Sequence, residues 1–180
     1  MDLPLGFDFW GFTDIHGNQN DPDRRFVPER SFMEYRLRRD FNPEWVFGIE
    51  GLGFELEYNG FDGKETTALR YGILYKHSLS FLFDDASWLQ WRYHPLETFE
   101  EGQQASVIFR MGIAPGFYLS GFVDYNFDLD GKPAWVAEPQ INYELNELVD
   151  VVMEIRYNGF EARNSQLKGF GLAPGFKFKF

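Results

Sequence analysis

Apolar and polar residues alternate with a period of two through nearly the whole chain, and that leaves few folds open. Between Val149 and Asn158, one side of an extended chain carries Val149, Val151, Met153, Ile155 and Tyr157. The other carries Asp150, Val152, Glu154, Arg156 and Asn158. Successive side chains of a strand point to opposite faces, so this is a strand with one apolar and one polar face. The closing "GFGLAPGFKFKF" repeats the pattern, with Phe170, Leu172, Pro174, Phe176, Phe178 and Phe180 set against glycine, alanine and lysine. Applied along the chain, the rule predicts ten strands, over roughly 5–15, 30–40, 45–58, 66–77, 86–94, 104–113, 116–127, 134–144, 149–158 and 168–180. The stretch "SLSFLFDD" (78–85) reads as either strand extension or turn, and a phase change near Gly51 and Gly53 reads as a β-bulge.

The connections alternate in length. Long polar ones ("HGNQNDPDRRFVPE", "NGFDGKE", "HPLETFEEGQ", "DLDGK", "NGFEARNSQL") take turns with short ones ("DFNPE", "APG", "NELV"). Adjacent antiparallel strands put successive connections at opposite ends. One end therefore collects the long loops, and the other the turns and both termini, which is the layout of an outer-membrane barrel. The 180 residues suit a single domain, 1–180.

Mean hydropathy is slightly negative, and no run approaches the ~18 apolar residues of a membrane helix. Yet aromatics make up 19% of the chain, with 21 Phe, and alternation hides such apolar content from any averaging window. The absence of cysteine excludes disulfides and thiolate chemistry. A net charge of -11 argues against nucleic acid as a partner. "MDLPLGFDFW" has no basic segment followed by an apolar one, so no signal peptide is expected in this chain.

Alternation alone does not say which face points inward. A soluble lipocalin-like barrel would turn the apolar face in around a greasy ligand. A membrane barrel would turn it out against lipid. Side-chain size favours the second: the polar face carries Ser106, Gly112, Ser120, Ala134, Gly169, Gly171, Ala173 and Gly175, which suit a narrow lumen. Tyr58, Tyr93, Tyr125, Trp135, Tyr143 and Tyr157 lie near strand ends on the apolar face, as an aromatic girdle requires. The expected fold is thus an all-β, antiparallel up-and-down transmembrane β-barrel of about ten strands.

Several segments resemble the Tsx-like family of outer-membrane barrels, which includes nucleoside-specific channels. "SGFVDYN" (120–126), "WVAEPQINYELN" (135–146), "VVMEIRYNGF" (151–160) and "PGFKFKF" (174–180) look like the last four strands of its uncharacterised branch. "FDFWGFTDI" and "FMEYRLRRDF" look like the third and fourth strands, "ELEYNG" and "WLQWRY" like the fifth and seventh. Glu138-Pro139-Gln140 is the distinctive element. The family pattern has twelve strands, so this chain corresponds to it without the first hairpin. The resemblance implies the outer membrane of a Gram-negative bacterium, membrane lipid and the insertion machinery as partners, and a small solute such as a nucleoside as cargo. It also implies that Phe176, Phe178 and Phe180 form the insertion signal.

On the polar face, the candidates for a solute path are Trp10, Phe12, Arg36, Arg38, Glu55, Glu57, Arg70, Arg92, Arg110, Tyr118, Phe122, Asp124, Glu138, Gln140, Glu154 and Arg156. Interleaved acids and bases either select solutes or fill a small barrel with salt bridges. Trp10, Phe12, Tyr118 and Phe122 either stack a planar solute or plug the lumen. No catalytic residues are assigned: His16, His77 and His94 are far apart, His16 and His94 at loop edges, and Ser87 with His94 is the only nearby Ser–His pair. "DLDGK" is an ordinary turn rather than a calcium loop, and no metal cluster or cofactor is expected. The expected function is a passive, non-enzymatic channel. The alternatives are a structural barrel with a closed, salt-bridged lumen and a soluble lipocalin-like carrier.

Overall fold

A computed structural model describes residues 2–17, 23, 27–61, 68–98, 102–127, 133–163 and 168–179. They form antiparallel strands in one sheet: β1 (Asp2–Leu3), β2 (Phe7–Gly17), β3 (Pro28–Asp40), β4 (Leu52–Phe61), β5 (Ala68–Ser78), β6 (Trp88–Glu97), β7 (Gln103–Ala114), β8 (Phe117–Phe127), β9 (Ala134–Ala137), β10 (Gln140–Glu144), β11 (Val149–Asn158) and β12 (Phe170–Phe178). The order follows the chain from β1 to β8, then β10, β11 and β12, with β9 pairing both β8 and β11. Short helical turns at Pro4–Gly6, Pro43–Trp45 and Gly159–Ala162 interrupt it. The all-β, antiparallel, up-and-down expectation is met, and the count exceeds ten for two local reasons. One is the two-residue β1, which pairs Asp2 with Asp8. The other is Pro139, which splits a single strand into β9 and β10.

That split is shallow. Glu138 N donates to Phe122 O at 3.0 Å and Ile155 N donates to Pro139 O at 2.9 Å, so the ladder continues across the proline. Pro139 lacks only the donor that a central strand would use. Opposite it, Gly121 adopts φ +139°, and a Cβ there would collide with Glu138 O. The segments "SGF" and "EPQ" thus face each other, Ser120 in register with Gln140.

The bulge expected near Gly51 and Gly53, and the strand start expected at 45, need correction. No bulge occurs at Gly51–Gly53: β3 and β4 stay in register from Phe32–Phe61 to Asp40–Gly53. The phase change marks the start of β4, because 43–51 is a compact turn in which Phe47, Gly48 and Gly51 take positive φ. A register shift lies between His16 and Gly17, where β2 pairs β3. "SLSFLFDD" resolves as a turn, closed by Leu79 N donating to Ser87 O at 2.9 Å and Phe83 N to Leu79 O at 3.0 Å. The "DLDGK" turn and Phe180 lie outside the described residues.

By internal contacts the chain divides into two compact units: Met1–Leu74 with Tyr93–Gln103, and Tyr75–Arg92 with Gln104–Phe180. In the first, cross-strand register builds three polar rows: Asp8–Arg38–Glu55, Trp10–Arg36–Glu57 and Phe12–Glu34–Asn59. Its other face carries the stacked rings of Phe9, Tyr35 and Tyr58. Gly11 permits this stack, since a Cβ there would lie 2.5 Å from the Tyr35 ring. In the second unit the apolar face forms rows Phe117–Tyr143–Val151–Phe176 and Leu119–Ile141–Met153–Pro174. Towards the long loops follow Val123–Ala137–Tyr157–Phe170 and the pair Tyr125–Trp135.

Burial is inverted relative to a soluble domain. Among the described residues the buried polar side chains are Glu34, Glu55, Glu57, Asn59, Ser87, Gln90, Arg92, His94, Gln104, Ser106, Asn142 and Asp150. The buried apolar ones are Ala68, Leu74, Tyr118 and Ala134, while Tyr58, Tyr93, Trp135, Ile141, Tyr143, Met153, Tyr157 and Phe176 are exposed. Both units show this sign. The size argument for small residues holds at Gly112, where the Asp84 carboxylate occupies the place of a Cβ. It fails at Gly171 and Gly175, where a Cβ would meet nothing within 4 Å.

Candidate functional site

In the first unit the site is a buried ion network on the polar face. Glu57, at 1% exposure, is its hub. Its carboxylate accepts from Arg36 Nε at 2.9 Å, from Arg70 at 2.6 Å and from Asn59 Nδ2 at 2.8 Å. Arg36 also pairs with Glu34, and Arg70 Nε with Glu97 at 2.7 Å. Strand periodicity explains the gathering: Glu34, Arg36 and Arg38 alternate onto the polar face on β3, and Glu55, Glu57 and Asn59 do so on β4. A buried carboxylate is tolerable only with such partners, because desolvating an unpaired charge costs several kcal/mol.

Trp10 remains 41% exposed beside this network, with the Arg36 guanidinium 4.8 Å from its ring centroid and Phe12 in edge contact at 5.2 Å. Arg38 lies 3.9 Å from Glu55.

His94 was missed as a member. Pro95 makes the sequence read as loop from there, yet β6 runs on to Glu97 and His94 is 1% exposed. Its Nε2 lies 3.3 Å from Glu55 Oε1. A Cβ at Gly72 would sit 2.5 Å from its ring, so Gly72 is the notch that admits the imidazole. The signal was available: Gln90, Arg92 and His94 keep the period of the buried polar face. This also corrects the expectation that no metal-ligand set exists, since donor atoms of Glu55, Glu57 and His94 all lie within 4.8 Å of one another. They could hold a cation only by displacing guanidinium groups from Glu57.

In the second unit the polar face is divided. Towards the long loops, Arg156 bridges Glu138 at 3.4 Å and Glu161 at 3.1 Å, and Gln140 donates to Glu154 at 2.8 Å. Gln104 donates to Asn126 at 2.9 Å and Asn142 to Ser120 at 2.9 Å. Towards the turns, Tyr118 donates to Asp150 at 2.6 Å, and the Arg110 guanidinium lies 4.3 Å from the Tyr118 ring centroid. Trp88, with the Lys76 ammonium 4.5 Å from its ring, is a polar-face aromatic absent from the sequence-based candidates. Phe122 and Asp124 lie half-buried on β8, and Arg92 is buried on β6.

Apart from Arg92, Phe122 and Asp124, the predicted path residues therefore fall into three groups. Trp10, Phe12, Arg36, Arg38, Glu55, Glu57 and Arg70 come together in one unit. Arg110 joins Tyr118 at one end of the other, and Glu138, Gln140, Glu154 and Arg156 assemble further along it. Ser87 donates to Asp84 at 2.5 Å and accepts from Gly112 N at 2.9 Å, whereas His94 faces Glu55. Phe176 and Phe178 stand exposed on the apolar face of β12. Compared with known proteins, the chain matches no family profile, no curated protein and no solved structure.

Proposed function

We propose that the sheet closes into an outer-membrane β-barrel of the Tsx-like type, serving as a passive channel for small water-soluble solutes. Nucleosides are the class the sequence resemblance suggests. The observation that carries the reading is the inverted burial: ionised side chains are covered while rows of Phe, Tyr, Trp, Ile and Met are not. In water such a surface would drive aggregation. In lipid it is the required one. A lipocalin-like carrier would need the opposite arrangement.

The spacing of the aromatic rows supports the same reading. On β8, Phe117 marks one row, and Tyr125 and Phe127 the other. Eight to ten residues at about 3.4 Å each give roughly 27–34 Å along the strand. At a tilt of about 40° that is roughly 21–26 Å across the bilayer, close to the ~25 Å apolar band of such barrels. Between the rows lie Leu119, Ile141 and Met153.

The salt-bridged filling around Glu57 favours the closed-lumen alternative within the first unit. Planar-bilayer recording separates the two: discrete conductance steps are expected of a channel, and a silent bilayer carrying inserted protein means a closed barrel. Purified protein is expected to require detergent and to migrate differently on gels before and after boiling. Protein that stays monodisperse without any amphiphile overturns the membrane reading.

A further inference from the structure

The turn end of the polar face in the second unit carries a cation without a counter-charge. Among the described residues Lys177 Nζ has no carboxylate within ion-pair distance; it lies 5.6 Å from the Tyr118 ring centroid. The nearest acid, Asp150, is fully buried and already engaged. One oxygen accepts from Tyr118 at 2.6 Å, and the other pairs with Lys179 Nζ at 2.9 Å. Arg110, stacked on the same ring, is loosely held: Asp84 at 3.6 Å, Glu144 at 3.7 Å and the Ala86 carbonyl at 3.4 Å. Both acids are over 40% exposed, so water screens them. Beside Lys177 on the same strand face, Gly175 leaves open space.

We infer that Lys177 and Arg110, gathered around Tyr118, form a binding subsite for a small oxyanion, a carboxylate or phosphate group on a water-soluble solute. An ammonium and a planar guanidinium, 5.6 and 4.3 Å from the centroid of one tyrosine ring, supply charge-assisted donors close to each other. Further along the same face Asp124, Glu138, Glu154 and Glu161 outnumber Arg156, which bridges two of them. A solute with an anionic group is therefore better held at the turn end than in that stretch. The inference rests on the reading of this face as a solute path.

The test is titration of inorganic phosphate into the full chain in non-ionic detergent at low ionic strength, followed by calorimetry. Each variant is first shown to keep its heat-modifiable folded band. One saturable site is expected. Lys177→Gln weakens it about three- to tenfold, the scale of one partly screened charge-assisted contact. Lys177→Arg restores it, and Lys168→Gln, at an exposed position ahead of β12, leaves it unchanged. Equal binding by wild type and Lys177→Gln, equal loss in Lys168→Gln, or no saturation overturns the subsite alone. Absence of a heat-modifiable form in the wild type counts instead against the barrel.

Discussion

Glu57 shows what a single side chain does here. Two guanidinium groups and an amide converge on one carboxylate that water does not reach. Glu57→Gln keeps the shape, removes the charge and turns an amide N–H towards groups that are themselves donors. Arg36 and Arg70 then lose their shared counter-ion, and the expected cost is about 3–5 kcal/mol, the range for breaking a buried pair from one side. Denaturant unfolding of the folded protein in detergent measures it, and a loss below about 1 kcal/mol would mean that water solvates the network. Glu57→Met with Arg36→Met should cost less than the sum of the singles, since each removes the other's orphan. At this scale the sequence was informative about faces and silent about partners. Alternation put Glu55, Glu57, Arg36 and Arg70 on one side, but nothing in it says that Arg70 reaches Glu57 or that His94 joins Glu55. Pro95 hid the histidine, because a proline missing one donor looks the same in sequence whether the strand ends or continues.

Strands and turns carry their own predictions. Gly121→Ala forces a Cβ onto the Glu138 carbonyl at a φ that alanine avoids, and should destabilise by about 1–3 kcal/mol. Gly175→Ala enters open space and should stay within about 0.5 kcal/mol. The same unfolding assay checks both, and equal effects would show that the approach of Pro139's segment is not what Gly121 permits. In the 79–87 turn, the Ser87 hydroxyl, and beyond it Arg110, hold the Asp84 carboxyl below its ordinary range. A carboxyl lowered in the folded state stabilises above the unfolded value of about 3.9 and loses that contribution as pH falls through its folded value. The group is half-exposed, so the effect is a few tenths of a kcal/mol at most. Ser87→Ala should flatten the acid limb of stability below about pH 5; an unchanged slope refutes the assignment. The strands were legible because period two is a local property. The turn at 43–51 was not: its apolar Trp45, Val46, Phe47 and Ile49 mimic alternation, while three positive φ angles, one of them at Phe47, bend the chain instead. Likewise Pro139 splits a strand without ending it, since the carbonyl and the neighbouring donors keep the ladder together.

For the molecule as a whole, everything turns on what the apolar face meets. Ile141 and Met153 sit opposite each other between the aromatic rows, 43% and 41% exposed. If the face meets water, Ile141→Arg is an ordinary surface change worth less than about 0.5 kcal/mol. If it meets acyl chains, the guanidinium lies inside the apolar band, one row from its edge, and the cost is about 1–2 kcal/mol. Tyr143→Arg, one row closer to the turns, should cost only about 0–1 kcal/mol, because a long cation there can reach the headgroups. The two variants share strand, face and exposure, so a soluble protein would treat them alike and a membrane one would not. Folding efficiency into vesicles, read from the heat-modifiable band over a urea series, measures the difference. A gap of about 1 kcal/mol between the two positions is expected. Two equal and small effects would place this face in water, and the polar rows would then need another explanation for being the buried ones.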